Sequence, residues 1–126
     1  MSLKLVEQLY KGFESHDPQT MLAVLHPEFV LRVSDGMPLG VGGEHHGPQA
    51  AMRDCWGVIF GAYDTAPVPE DYVWEGTERC VVLGHYRGTV REAGTPFEAA
   101  FAHVLTVRDG RIATLTQITD TARWTP

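Results

Sequence analysis

The sequence predicts an α+β domain in which three N-terminal helices pack in a strongly curved, mostly antiparallel sheet. Three observations carry this. Apolar residues recur at helical spacing in the first half of the chain, apolar and β-branched residues form strand-like runs in the second half, and the two regimes do not alternate. The 126 residues suit one domain with one core, taken as a single unit over residues 1–126.

Leu5, Val6, Leu9 and Phe13 form one stripe, which predicts a helix over 3–15. Ser15-His16-Asp17-Pro18 breaks it. Asp17 is a good N-cap and Pro18 suits the first helical position, so a second helix starts there and stops near His26-Pro27. The run 28–34 (Glu-Phe-Val-Leu-Arg-Val-Ser) reads as a strand. Residues 35–47, with Gly36, Gly40, Gly42, Gly43 and Gly47, read as a mobile loop without regular structure. Pro48 opens a third helix to about Tyr63, with Met52, Cys55, Trp56, Ile59, Phe60 and Tyr63 on a wide apolar face.

Pro67–Pro69 reads as a linker. Strands are expected over roughly 71–76, 80–90, 96–107 and 112–120. Asp109-Gly110 between two apolar runs is a strong hairpin signal. A long sheet with few helices to cover it is expected to curl around them and leave a concave cavity, a common place for a small-molecule site. Its outer face, left without helices, is expected to pair two copies into a homodimer.

Composition narrows the partners. The net charge of −6 and the scattered Lys and Arg residues give no nucleic-acid footprint. No apolar run approaches membrane-spanning length. Met1-Ser2-Leu3-Lys4 leads into an amphipathic pattern rather than a secretion signal, and Cys55 and Cys80 match no metal or redox spacing. A cytoplasmic protein with two free thiols, no cofactor, no metal and a small hydrophobic ligand is expected. Glu44-His45-His46 is not read as a metal site, because adjacent residues diverge and no spaced partner follows.

The helical pair around His16-Asp17-Pro18, the entry His26-Pro27-Glu28-Phe29 and the loop from Gly43 to Ala50 stand in a characteristic order. The run from Phe101 to Ile112, followed by Asp120-Thr121, completes it. In these features the chain resembles the SnoaL-like branch of the nuclear-transport-factor-2-like superfamily. The resemblance implies a conical α+β barrel with a deep pocket. It is shared by polyketide cyclases, ketosteroid isomerase, limonene epoxide hydrolase, scytalone dehydratase and many non-catalytic binding modules, so activity must be argued from the site.

Asp120 is the first candidate catalytic residue. Period-two counting puts it on one face with Thr114, Thr116 and Ile118, and the resemblance implies an acid or base at this spacing. The alternative is a strand-end aspartate that caps the final turn or pairs with Arg123. His103 is the second. It shares a strand face with Phe101, Leu105 and Val107, where the resemblance to ketosteroid isomerase implies an oxyanion donor; the alternative is a buried, satisfied histidine.

Asp35 is a candidate acid at the pocket mouth, or else part of an Asp-Gly turn with Gly36. The general base of ketosteroid isomerase falls on Val33 here, and its tyrosine on Leu9 rather than Tyr10. The second acid of the epoxide hydrolases is also missing at Arg79-Cys80-Val81. Tyr10, Trp56, Phe60, Trp74, Tyr86 and Phe101 are candidate ligand-binding residues, with Tyr72, Phe97 and Trp124 as further aromatics that line a pocket or fill core. Gln117 counts to the face opposite Asp120 and is expected at an interface or the surface. Acid–base chemistry of a polyketide cyclase or isomerase kind is the leading expectation, and a non-catalytic ligand-binding or dimerisation module the alternative.

Overall fold

A computed structural model describes residues 2–125. Helix α1 (Ser2–Ser15) buries Val6, Leu9, Tyr10 and Phe13 along one stripe. Asp17 caps the short α2 (Pro18–Leu22) by accepting hydrogen bonds from the amides of Gln19 and Thr20. Strand β1 (Leu25–Val33) follows, then β2 (Gly43–His46). The third helical rod is α3 (Pro48–Ala51), a π-helical turn (Met52–Trp56) and α4 (Gly57–Ala62). Four strands complete the chain: β3 (Tyr63–Glu75), β4 (Arg79–Val90), β5 (Pro96–Arg108) and β6 (Arg111–Thr119). A 3₁₀ turn (Thr121–Arg123) ends it.

The strands form one six-stranded sheet in the order β2-β1-β6-β5-β4-β3. Only the β1–β6 contact is parallel. The α+β class and the helices-inside-sheet arrangement follow the sequence expectation, although the sheet is mixed and does not close on itself.

Glycine permits close approach along β4. A Cβ on Gly84 would stand 2.0 Å from the Val68 carbonyl oxygen and 2.8 Å from the Phe101 ring, and one on Gly88 would stand 1.9 Å from the Asp64 carbonyl oxygen. β4 therefore lets β3 and the Phe101 ring approach where any larger residue would hold them off.

Three expectations need correction. The glycine-rich segment is not wholly irregular: Gly43–His46 pairs with Val30–Val33, and Glu44 is tied across the pair to Arg32 at 2.7 Å. Pro67–Pro69 is not a linker but lies within β3. β3 is an edge strand, where a missing N–H need cost no ladder bond. The third helix ends at Ala62, and Tyr63 already belongs to β3.

The fourth difference matters most for the site. An unbroken hairpin continuing from the Arg108–Arg111 pair would set His103 opposite Thr116. Instead the register shifts between Thr106 and Val107, so that Thr106 faces Thr114 and His103 faces Gln117. One extra residue in β6 reverses the face of everything beyond it. Leu115 and Gln117 turn inward, and Ile118 turns out, 58% exposed.

Candidate functional site

The inner surface of the sheet is carpeted with aromatic rings around one imidazole. His103 is 1% exposed and stands on β5 between Phe101 and Leu105. Its Nδ1 lies 2.6 Å from the Tyr10 hydroxyl and its Nε2 3.1 Å from the Tyr86 hydroxyl. The Phe101 ring stacks on it at 4.1 Å between centroids. Tyr10 arrives from α1 and Tyr86 from β4, so three elements converge on one side chain. Burial pushes the His103 pKa down to about 3 and pushes both tyrosine hydroxyls up. At neutral pH the imidazole is uncharged.

A neutral imidazole has one N–H and one lone pair. One tyrosine therefore donates to His103 and the other accepts from it, and the accepting tyrosine keeps its own O–H uncommitted. The 2.6 Å contact suits an O–H donor, which assigns Tyr10 as donor to Nδ1. The 3.1 Å contact suits the N–H of Nε2 donating to the Tyr86 oxygen. The free phenol proton is then that of Tyr86.

The sequence placed His103 and Tyr10 well enough to be found, although the expected alignment had put the family's tyrosine on Leu9. The turn of α1 decides this: Tyr10 points to His103, while Leu9 is fully buried core. Tyr86 and Phe101 also stand at the centre. Trp56 packs instead against Phe13 and Phe29 on the helical side of the core. Phe60 is half-buried and stacks on His16. Trp74 is half-buried near the β3–β4 turn, opposite Cys80, and borders a surface depression with Leu3 and Gly76.

Asp120 does not join His103. It follows the last residue of β6, is exposed, and its carboxylate lies 3.6 Å from Arg123. The shifted register of β6 is the physical reason: the face counted as inner is the outer one. Asp35 is exposed too, beside an open depression bounded by Ser34, Gly43 and Glu44. Gln117 moves the other way. It is 5% exposed and sits across from His103 on the inner face, where sequence counting had not put it.

Among the described residues the buried polar side chains are Thr65, His103 and Gln117, with no carboxylate. The interior that the sequence led us to expect as a cavity is packed with the protein's own rings. An open groove of about 270 Å³ runs between Glu7, Tyr10 and Glu14 of α1 and Pro67, Pro69 and Tyr72 of β3. Tyr10 thus borders this groove on one side and His103 on the other.

An open six-stranded mixed sheet packed on its helices, with the His103 cluster among aromatic rings, is an α+β architecture of the NTF2-like, cystatin-like kind. The sequence model of the SnoaL-like domain matches residues 6–115, and the chain belongs to that family. Its structure is similar to an NTF2-like protein of unknown function from Burkholderia pseudomallei (30% identity, TM-score 0.87, 96% of this chain and 92% of that one). An NTF2-like protein from Burkholderia thailandensis is comparable (25% identity, TM-score 0.86, 97% and 92%). So is TerC co-crystallised with polyporic acid (25% identity, TM-score 0.85, 96% and 92%). No curated protein matches the sequence.

Proposed function

We propose that this protein binds a small, mostly apolar, oxygenated molecule and acts on it by cyclase-like or isomerase-like acid–base chemistry. The carrying observation is the buried neutral His103 with a tyrosine hydroxyl on each nitrogen. In a site walled by rings, the free O–H of Tyr86 is a preorganised donor for an oxygen that gains negative charge, such as the enolate left when solvent water or hydroxide takes the α-proton of a bound ketone. His103 orients that phenol, and Tyr10 fixes the tautomer of His103. The similarity to TerC, crystallised with polyporic acid, supports an organic ligand in this fold.

A second reading has its own support. The absence of a buried carboxylate among the described residues leaves no evident general base, which favours a non-catalytic ligand-binding module. Exchange of the α-protons of 2-tetralone in D₂O, followed by NMR, separates the two. The catalytic reading expects saturable acceleration that falls about 100-fold in Tyr86→Phe. Saturable binding without acceleration selects the binding module, and no binding at all removes both.

We further propose a homodimer through the outer face of the sheet, in a reducing compartment such as the cytoplasm. On that face Val73, Val81 and Val104 are cross-strand neighbours, as are Leu83, Ala102 and Ile118. Val73, Leu83 and Ile118 are exposed by 50%, 42% and 58%. Both cysteines are free and buried. Among the described residues no helix is long and apolar enough to cross a membrane. Sedimentation at micromolar concentration should give a dimer mass that Leu83→Lys reduces to a monomer; a monomeric wild type removes the proposal.

A further inference from the structure

Trp124 is buried against the inner face of the sheet. Trp124 is 2% exposed although the residues beside it, Arg123 and Thr125, are exposed. Its indole lies 4.8 Å from the Tyr86 ring, 5.0 Å from Phe97 and 5.1 Å from Tyr63, centroid to centroid. Those rings come from β4, β5 and β3, so one indole covers the inner face of three neighbouring strands.

Two polar facts mark this chamber. The Tyr63 hydroxyl is buried and has no hydrogen-bond partner, the one such side-chain atom among the described residues. The Tyr86 ring lies beside the indole, its oxygen on His103 Nε2 and its own O–H uncommitted. Buried donors without acceptors are costly and seldom left so. The indole cannot relieve them, because its only polar group is a donor, and that N–H is used on the Thr119 hydroxyl at 3.1 Å.

The tail that carries Trp124 is lightly held. The backbone amides of Arg123 and Trp124 bond to the carbonyls of Asp120 and Thr121, inside the tail itself. The amide of Asp120 reaches the Ala100 carbonyl at 3.4 Å, and the Thr121 side chain rests against Gly36. The indole packing and its N–H bond to Thr119 add to these contacts.

We propose that Trp124 is an intramolecular occupant of the ligand chamber. The tail from Asp120 to Thr125 swings out to admit a planar aromatic molecule of about indole size that carries a carbonyl or similar acceptor oxygen. That oxygen takes the unpartnered hydroxyl of Tyr63, and the ring takes the place of the indole against Tyr86 and Phe97. The inference rests on the ligand-binding reading above and adds the chamber, the ligand class and the exchange of one ring for another.

The test uses the full chain labelled with fluorotryptophan. Its three tryptophans give three fluorine signals, and Trp124→Phe assigns one. On titration with 2-tetralone the Trp124 signal should move saturably to the position of a solvent-exposed indole and gain its H₂O/D₂O isotope shift, while Trp56 and Trp74 hold still. Tyr63→Phe should weaken binding about tenfold through the lost hydrogen bond. Binding with Trp124 still shielded would put the ligand elsewhere, as in the groove beside Tyr10, and would overturn the proposal. Binding confined to Trp124→Ala would make the indole permanent core and overturn it equally, as would no binding to either protein. Release of Trp124 without accelerated α-proton exchange leaves the chamber standing and removes only the catalytic reading.

Discussion

Acid should destabilise this protein through His103 at a pH where its carboxylates are still silent. The unfolded histidine takes up a proton near its ordinary value of 6.5, whereas burial pushes the folded one down to about 3. Between those values the unfolded chain binds one more proton than the folded chain, so stability falls as pH falls. The slope for one group is about 1.4 kcal/mol per pH unit, or on the order of 4–5 kcal/mol by pH 3. That is a large share of the ~5–15 kcal/mol that holds a domain together. Asp17, Glu44, Asp54 and Glu70 have carboxyls held below their ordinary values, mainly by hydrogen bonds, and their losses come at lower pH. From pH 6.5 to 5 the difference between the wild type and a His103 variant therefore reports on His103.

Urea unfolding of the wild type and His103→Gln across that window is the assay. The variant should be weaker at pH 7, by about 1–3 kcal/mol, because two buried tyrosines lose their partner. Its free energy should nevertheless lose this slope between pH 6.5 and 5. Equal slopes in the two proteins, or an NMR titration of His103 near 6.5, would refute the buried neutral imidazole and with it the assigned hydrogen-bond polarity.

Three further outcomes are expected. Asp120→Asn should leave ligand binding and α-proton exchange unchanged and shift stability by less than about 0.5 kcal/mol in urea melts, because the carboxylate is exposed and paired only with Arg123. Gly84→Ala should cost about 3 kcal/mol or more by the same measurement, since its Cβ would meet the Val68 carbonyl oxygen and the Phe101 ring. Cys55, whose thiol burial pushes up to about 12, should resist a thiol reagent at pH 8 in the folded protein and react once urea unfolds it.

The sequence made the helices, the long strands and His103 legible because each rests on local pattern. The stripe of α1, the Asp17-Pro18 start and the apolar alternation around His103 are written in neighbouring residues. Asp120 and Gln117 were misplaced for a non-local reason. Their faces depend on one register shift in β6, and the residues there, Ile112-Ala113-Thr114, carry no glycine or proline to announce it. β2 was hidden because four residues pair only through their contact with β1. The contact of Tyr63 with Trp124 was hidden because Tyr63 reads as the end of a helix, and Trp124 as one more aromatic near a terminus.

The open sheet has a further consequence at its borders. A sheet with two free edges is a template on which other strands can stack without limit. Here one border is β2, only four residues long and charged at Glu44, and the other is β3, interrupted by Pro67, Pro69 and an irregularity before Asp71. Neither presents a long uninterrupted row of amide donors. Ribbon-like growth is blocked at both margins, while the broad outer surface stays bare. In the proposed dimer the copies meet face to face, and the two margins disfavour lengthening side by side.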